Sequence, residues 1–363
     1  MPDFIEVDFH DVETAKSGDA ITLRYQVNGI QCVHVVDGGY SDVGERLLET
    51  IRNHYGNPGH IDRVILTHPD GDHAAGLKHV LENASVGELW MLRPWLYADE
   101  LIGRFPTYTS VDRLRSRLRG CYPHVNDLEE IALRRGVTIR EPFQGSTIGL
   151  FTVMAPTRKR YLDLIVASEK TPEGVTQESA EEATANRLLK ALREAIGFVR
   201  AAWGEEVFSA GETSAENEMS VVQLAKIDGE TMLLNGDAGR SGLAEAADYA
   251  PWAGLALPGV TRFQVPHHGS RRNVSTELLD RWLGSRLAAP PAPGGESFTG
   301  IISSAKEDKH HPRKAVVRAI QHRGGRVVTT EGRNICSSSS NAPTRFGWTA
   351  VTSEPYPEEQ EPA

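Results

Sequence analysis

The chain contains the run His68-Pro69-Asp70-Gly71-Asp72-His73, four metal-competent side chains within six residues. On an irregular loop such groups can converge on two cations a few ångströms apart, which the spacing of a helix or strand does not allow. Imidazole and carboxylate suit Zn²⁺ and Mn²⁺, and added carboxylates shift the preference toward the harder ion. The competing reading is a plain polar turn, since Pro-Asp-Gly is turn-prone. Three later stretches favour the metal. Leu233-Leu234-Asn235-Gly236-Asp237 ends a β-rich run in a carboxylate, and Val265-Pro266-His267-His268-Gly269-Ser270 places paired imidazoles just after another. His310-His311-Pro312 opens a helical stretch, where a histidine would face the same rim. Arg271 and Arg272 follow the paired histidines, and Lys309, Arg313 and Lys314 flank the last pair. Beside a two-metal centre these cations suit a phosphodiester, because Arg grips phosphate through two nitrogens. Their plain alternative is solvated surface charge. The series Arg113, Arg115, Arg117 and Arg119 is weaker evidence, since i, i+2 spacing scatters side chains around a helix.

Those residues need elements to position them. Residues 63–67 form a short apolar strand, the motif follows, and 74–83 have helical periodicity, so the motif sits on a strand-to-helix loop. Before it, residues 21–27 and 31–36 read as strands joined by an Asn28-Gly29 hairpin turn, and 43–53 as a helix. Residues 87–92 read as a strand, 97–136 as helix, and 147–155 as strand again, stopping at Pro156. From about 157 to 216 the pattern becomes long charged helix, clearest over 178–202. Strands return at 220–224 and 231–235 around Asp228-Gly229, and strand-loop-helix units run on to residue 330. Two β-then-α halves are suggested. The Ser/Pro/Glu-rich stretch 337–363 is expected to be loosely ordered.

Composition bounds the rest. With 363 residues, 39% hydrophobic and 24% charged, the chain can bury a large core. A net charge of −10 argues against a protein that coats nucleic acid, but leaves room for a local basic cleft. Cys32, Cys121 and Cys336 are odd in number and far apart, which fits a reducing cytosol. No apolar run approaches the roughly 20 residues of a membrane span, and the acidic N-terminus lacks a basic-then-apolar leader. A cytoplasmic protein without membrane contact is expected.

The whole series resembles the metallo-β-lactamase fold, and within it the soluble domain of DNA-uptake competence channel proteins. The resemblance rests on Phe9-His10-Asp11-Val12 through Gly18-Asp19-Ala20, Val35-Val36-Asp37-Gly38-Gly39, and Thr67-His68-Pro69-Asp70-Gly71-Asp72-His73-Ala74-Ala75-Gly76-Leu77. Val153-Met154-Ala155-Pro156, Asn217-Glu218-Met219-Ser220-Val221-Val222, Asn235-Gly236-Asp237, Pro266-His267-His268-Gly269-Ser270 and His311-Pro312 follow in the family's order, over roughly residues 5–335. The chain departs from that group in lacking a transmembrane channel, so DNA import is not expected of it. It also has Glu13-Thr14-Ala15-Lys16 in place of a Gly-rich stretch, and a long segment between Pro156 and Asn217.

The resemblance implies an α/β fold, an αββα sandwich of two facing sheets with helices outside. Residues 1–336 would form the hydrolase domain, with a helical insertion at about 157–216. His68 and Asp70 would hold one divalent metal ion, with Asn217 nearby on the substrate side. Asp72, His73 and one of His267 or His268 would hold the other, Asp237 would bridge, and Asp37 would support a ligand imidazole. His267 is favoured as the ligand because it is the first to clear its strand. A hydroxide between two Mn or Zn ions would attack the substrate, and His268 or His311 would protonate the leaving oxygen. The expected activity is that of a phosphodiesterase or nuclease, with Arg271 and Arg272 on the phosphate. The alternatives are hydrolysis of a small phosphoester, nucleotide or lactone, or a component of a multi-protein system that binds its partner through the insertion.

Overall fold

A computed structural model describes residues 2–171 and 198–362. Among them are two seven-stranded sheets. The first runs Ile335–Ser338, Phe4–Phe9, Ala20–Val27, Ile30–Gly38, Ile61–Ile65, Val86–Trp90, Thr138–Arg140; the second runs Gly325–Thr329, Phe298–Ile302, Arg262–Gln264, Glu230–Leu234, Val222–Ile227, Phe151–Ala155, Thr147–Ile148. Each sheet is antiparallel on one side and parallel on the other, so the two β-then-α halves read from the sequence are two related layers.

The layers follow from where apolar side chains can go. Val7, Leu23, Val35 and Val64 of the first sheet share one core with Val153, Met232, Ile301 and Val328 of the second. Helix Gly44–His54 adds Leu47 and Ile51 to that cluster, and helix Leu77–Asn83 adds Leu77 and Val80. On the far side, Leu243, Trp282, Val316 and Ile320 from three helices cover Leu233, Phe263 and Phe298. Strands Phe4–Phe9 and Phe298–Ile302 are consequently buried along their whole length, as expected of sheets covered on both faces. The result is the αββα layering of the metallo-β-lactamase fold.

Local signals explain the boundaries. Asn28 and Gly29 both adopt positive φ (51° and 81°), the turn that matches the twist of a two-residue hairpin. The expected helix over 97–136 is broken into Ala98–Leu101, Val111–Cys121 and Pro123–Arg135, with Ser110 capping the second and Pro123 starting the third. Its arginines do separate things: Arg115 pairs with Asp99 and Asp112, while Arg119 pairs with Glu129 and lies over the Trp95 ring.

Two expectations need correction. Helix Arg158–Ala167 does begin the 157–216 segment, but 198–214 is mostly loop with a two-residue strand, Val199–Arg200. The stretch read as clearest helix falls largely outside the described residues. The tail beyond 337 makes specific contacts with the rest of the chain. Ser337 and Ser338 pair with Phe4–Phe9, and Arg345 donates to both Asp8 oxygens at 2.5 and 2.7 Å. Glu361 accepts from the backbone N–H groups of Lys314 and Ala315 at 3.0 and 3.1 Å, placing a carboxylate at the start of helix Lys314–His322. Composition averages over the tail miss this, because a few charged residues with buried partners are enough to hold it.

Candidate metal centre

The parallel strands point their carboxyl ends at one place, where α/β sheets usually carry ligands. Asp37 comes from the end of Ile30–Gly38, His68 follows Ile61–Ile65, Asp237 follows Glu230–Leu234, and His267 follows Arg262–Gln264. Asp37 accepts from the Thr67 N–H and hydroxyl at 2.8 and 2.6 Å, tying the two strand ends together. The loop then turns into the short helix Gly71–Ala74, which turns Asp72 and His73 inward. Gly76 permits this: a Cβ there would lie 2.0 Å from the Gly38 carbonyl.

Asp237 is the hub. Its Oδ2 lies 3.8 Å from His68 Nε2 and 3.6 Å from His267 Nε2, while its Oδ1 lies 3.3 Å from His73 Nε2 and 3.8 Å from His268 Nε2. Each carboxylate oxygen thus faces one pair of imidazoles. The adjacent histidines reach opposite sides of Asp237 because both adopt left-handed backbone, at φ 48° and 54°. Such conformations cost a non-glycine residue roughly 1–2 kcal/mol each and persist where the surroundings enforce them. Asn217 Nδ2 and Asn273 Oδ1 flank His267 Nδ1 at 3.1 and 2.9 Å, and His268 Nδ1 donates to the Ser303 carbonyl at 2.9 Å. Asp37 holds His73 Nδ1 at 2.7 Å. In every case Nδ1 is engaged and Nε2 faces the centre, the arrangement in which outer partners orient metal-binding histidines.

Buried polar atoms almost always find a partner. Here His68 Nε2, His73 Nε2, His268 Nε2, Asp237 Oδ1 and Asp19 Oδ1 are buried without one. Three overlapping sets bring ligand atoms within 4.8 Å of one another: His68-His73-Asp237, Asp72-His73-His268 and Asp19-Asp237-His268. Unpaired nitrogen and oxygen donors converging on one point fit divalent cations. The electrostatics agree. Burial opposes the charged form of His73, yet Asp237 and Asp37 raise its pKa well above the usual value. Burial likewise opposes His268, but Asp237 and Asp72 lift it to about 9. Asp237, despite burial, is held far below the carboxylate range by His267, His73 and His268. A cation bound here would have to displace the protons that the carboxylates hold on His73 and His268, whereas burial lowers the pKa of His68.

Both His267 and His268 face Asp237, but of the two only His268 belongs to the convergent sets. His268, 3.7 Å from Asp72 Oδ2, sits among the ligand atoms, which leaves it poorly placed as a leaving-group acid. His311 is better placed, its ring 5.5 Å from that of His267 and 6.1 Å from that of His268. Asp70 Oδ2 lies 3.8 Å from His68 Nε2, but Asp70 joins none of the three convergent sets. Asn217 is buried with its amide on Thr213 Oγ1 and His267, because Ser214 caps its short helix and turns it inward; it supports an imidazole and does not face substrate. Arg271 is also diverted. Its guanidinium donates to the carbonyls of Val207 and Pro362 at 3.4 and 3.0 Å, so it holds the tail. Arg272 is exposed.

Two residues were missed. Asp19, from the Gly18-Asp19-Ala20 stretch, is buried against His268 and Asp237, and burial raises its pKa. Asp308 accepts from His311 Nδ1 at 3.2 Å and from Ser17. The signal for it was a carboxylate three residues before a candidate histidine.

This fold brings together His and Asp side chains that could hold divalent metal ions. The profile of the metallo-beta-lactamase superfamily matches residues 28–136. No curated protein sequence matches the chain. Among solved structures it is similar to the hydrolase AbOPH of the beta lactamase superfamily, at 10% identity over 60% of this chain and 56% of that one, with a TM-score of 0.28. It thus spans just over half the length of that relative. It is also similar to a beta-lactamase domain protein from Burkholderia ambifaria, at 16% identity over 74% and 70% of the two chains, with a TM-score of 0.31. A diphosphatase of the PhnP family aligns over 93% of this chain and 99% of its own, at 11% identity and a TM-score of 0.35. No helix among the described residues is long and apolar enough to cross a membrane.

Proposed function

We propose that this chain is a two-metal hydrolase of phosphoester bonds, with a phosphodiester, nucleic acid included, as the preferred substrate class. The observation that carries the reading is the division of Asp237, one oxygen toward His68 and His267, the other toward His73 and His268. That arrangement suits two cations joined by one carboxylate, the first at His68, His267 and Asp70, the second at Asp72, His73 and His268, with Asp19 beside it. When bound, the cations would supply a water acidified toward neutrality and a Lewis acid for a substrate oxygen. Four carboxylates in the donor set weight it toward hard ions such as Mn²⁺, which pair well with phosphate oxygens.

The chain's own residues would do the remaining work. Asp308 fixes His311 through Nδ1, and burial lowers the pKa of the ring, so Nε2 is the nitrogen that could take up the proton released by the attacking water and pass it to the leaving oxygen. Asp37, Asn217, Asn273 and Ser303 would keep three imidazoles, His73, His267 and His268, in place without contacting substrate. The diversion of Arg271 to the tail favours a second reading, a hydrolase of small esters or lactones that needs no phosphate clamp.

One panel separates the readings. Purified protein loaded with Mn²⁺ or Zn²⁺ is offered bis-p-nitrophenyl phosphate, single- and double-stranded DNA, RNA and an acyl lactone. Turnover of the phosphodiesters, faster with Mn²⁺, is expected. Lactone turnover with silent phosphodiesters would move the assignment to the second reading.

A further inference from the structure

The cation that does reach the centre comes from the segment after Pro156. The Lys170 ammonium lies 2.5 Å from Asp70 Oδ1, while Asp70 Oδ2 faces His68 Nε2 at 3.8 Å. A buried turn places this lysine. Thr171 Oγ1 donates to the Ile165 and Ser168 carbonyls at 2.9 and 2.7 Å, and Tyr122 donates to Ser168 Oγ at 3.1 Å. Ser168 in turn bonds Glu216, and Cys121 Sγ donates to the Lys170 carbonyl at 3.1 Å. Ser168 and Thr171 are fully buried, so the backbone presenting Lys170 is fixed even though its side chain is partly exposed. Asp70, the carboxylate it holds, is the motif residue left out of every convergent set.

We propose that Lys170 is a built-in competitor for the first metal position, so that the centre holds one cation tightly at Asp72, His73 and His268 and a second loosely at His68, His267 and Asp70. The inference rests on the metal reading above. The Lys170 ammonium sets a positive charge beside the first position and occupies Asp70 Oδ1, one of the oxygens that would hold the cation there. A like charge a few ångströms from a dication, in a partly exposed setting, weakens binding by about tenfold or more. The first position would then fill and empty with ambient metal while the second stays loaded. Lys170 acts through Asp70 and is a positioning residue.

The test is calorimetric titration of the metal-stripped chain with Mn²⁺, with bound metal counted by elemental analysis. The parent is expected to bind two ions with affinities at least about tenfold apart. Lys170→Met, which keeps the aliphatic stem, and Lys170→Gln, which keeps a hydrogen-bond donor, should each tighten the weaker site by about tenfold and leave the tighter one unmoved. Lys170→Arg should behave as the parent. A weaker site that is unchanged or loosened in either neutral variant, or an arginine variant that behaves like the methionine one, overturns the proposal. A parent chain that binds no metal at all overturns the proposed function itself, an outcome visible before any variant is made.

Discussion

Two buried clusters in this molecule both pair histidines with carboxylates and end in opposite states. Around Asp237, four histidines and several carboxylates crowd one point and leave His68 Nε2, His73 Nε2 and His268 Nε2 without partners. Around Glu206, every donor is answered. Glu206 Oε1 accepts from His322 Nδ1 at 2.9 Å and from Arg323 at 2.6 Å, and Oε2 accepts from Thr276 at 2.9 Å. His322 Nε2 meets the Gly204 N–H and the Tyr356 hydroxyl, each at 3.1 Å, and Arg323 also binds Asp280. The difference is geometric. The Glu206 cluster mixes arginine with carboxylate, so charges cancel and hydrogen bonds close within the protein. The Asp237 cluster offers only carboxylates and imidazoles, a set that could take up an outside cation. Burial and composition do not tell a site from an internal clamp; unfilled valence does.

The largest break in that comparison is Asp237→Ala. It removes the one group shared by both cation positions, so bound metal should fall below one ion per chain. Turnover should drop by at least about a hundredfold, more than loss of an outer-sphere partner produces. Elemental analysis and a phosphodiester assay read both. Two retained ions would mean that the histidines suffice and that Asp237 does not bridge.

A smaller break is Asp37→Asn. Asp37 adopts φ 56°, a conformation asparagine tolerates, so the backbone should stay in place. The charge behind His73 is lost, as is one acceptor for Thr67. Metal affinity at the second position should weaken by about ten- to a hundredfold with the thermal transition little moved. An affinity equal to the parent's would show that His73 needs no carboxylate behind it.

How much of this was legible in the chain follows the same division. The dense motif His68 to His73 could be read because its chemistry is local, four ligand-type residues in six positions on a strand-to-helix loop. The strands and the Asn28-Gly29 hairpin were legible for the same reason, each depending on a few neighbouring residues. Asp19 was not, since its role exists only once Asp237 and His268, more than 200 positions away, are packed beside it, while Asp308 left the local signal of a carboxylate three residues before His311. The tail's contacts were not legible, because Glu361 and Arg345 matter through partners elsewhere in the chain. The tandem histidines were half legible: their placement after a strand marked them, but only two successive left-handed residues let both reach Asp237.

The smallest effect concerns the closed cluster, and its pH dependence tests whether it is structural alone. Burial opposes the charge on Glu206, yet bonds from His322 and Arg323 hold its pKa at about 2, below the ordinary value of 4.5. A carboxylate whose folded pKa is depressed binds fewer protons in the folded state than in the unfolded one. Its stabilisation is therefore complete above pH 4.5 and drains away as pH falls toward 2. A shift of this size corresponds to roughly 3 kcal/mol at most, because one pKa unit is about 1.4 kcal/mol. Glu206→Gln should lower the melting temperature at pH 7 by roughly 5 °C. Parent and variant should converge as the pH is lowered through 4 toward 2, where the parent loses the same charge. Metal content and turnover at pH 7 should stay at the parent's level, because the open valences around Asp237 are untouched. A melting difference that persists unchanged to the acid limit would place the loss in packing and not in charge. A fall in bound metal would show that the two clusters communicate, and the separation drawn between clamp and site would be wrong.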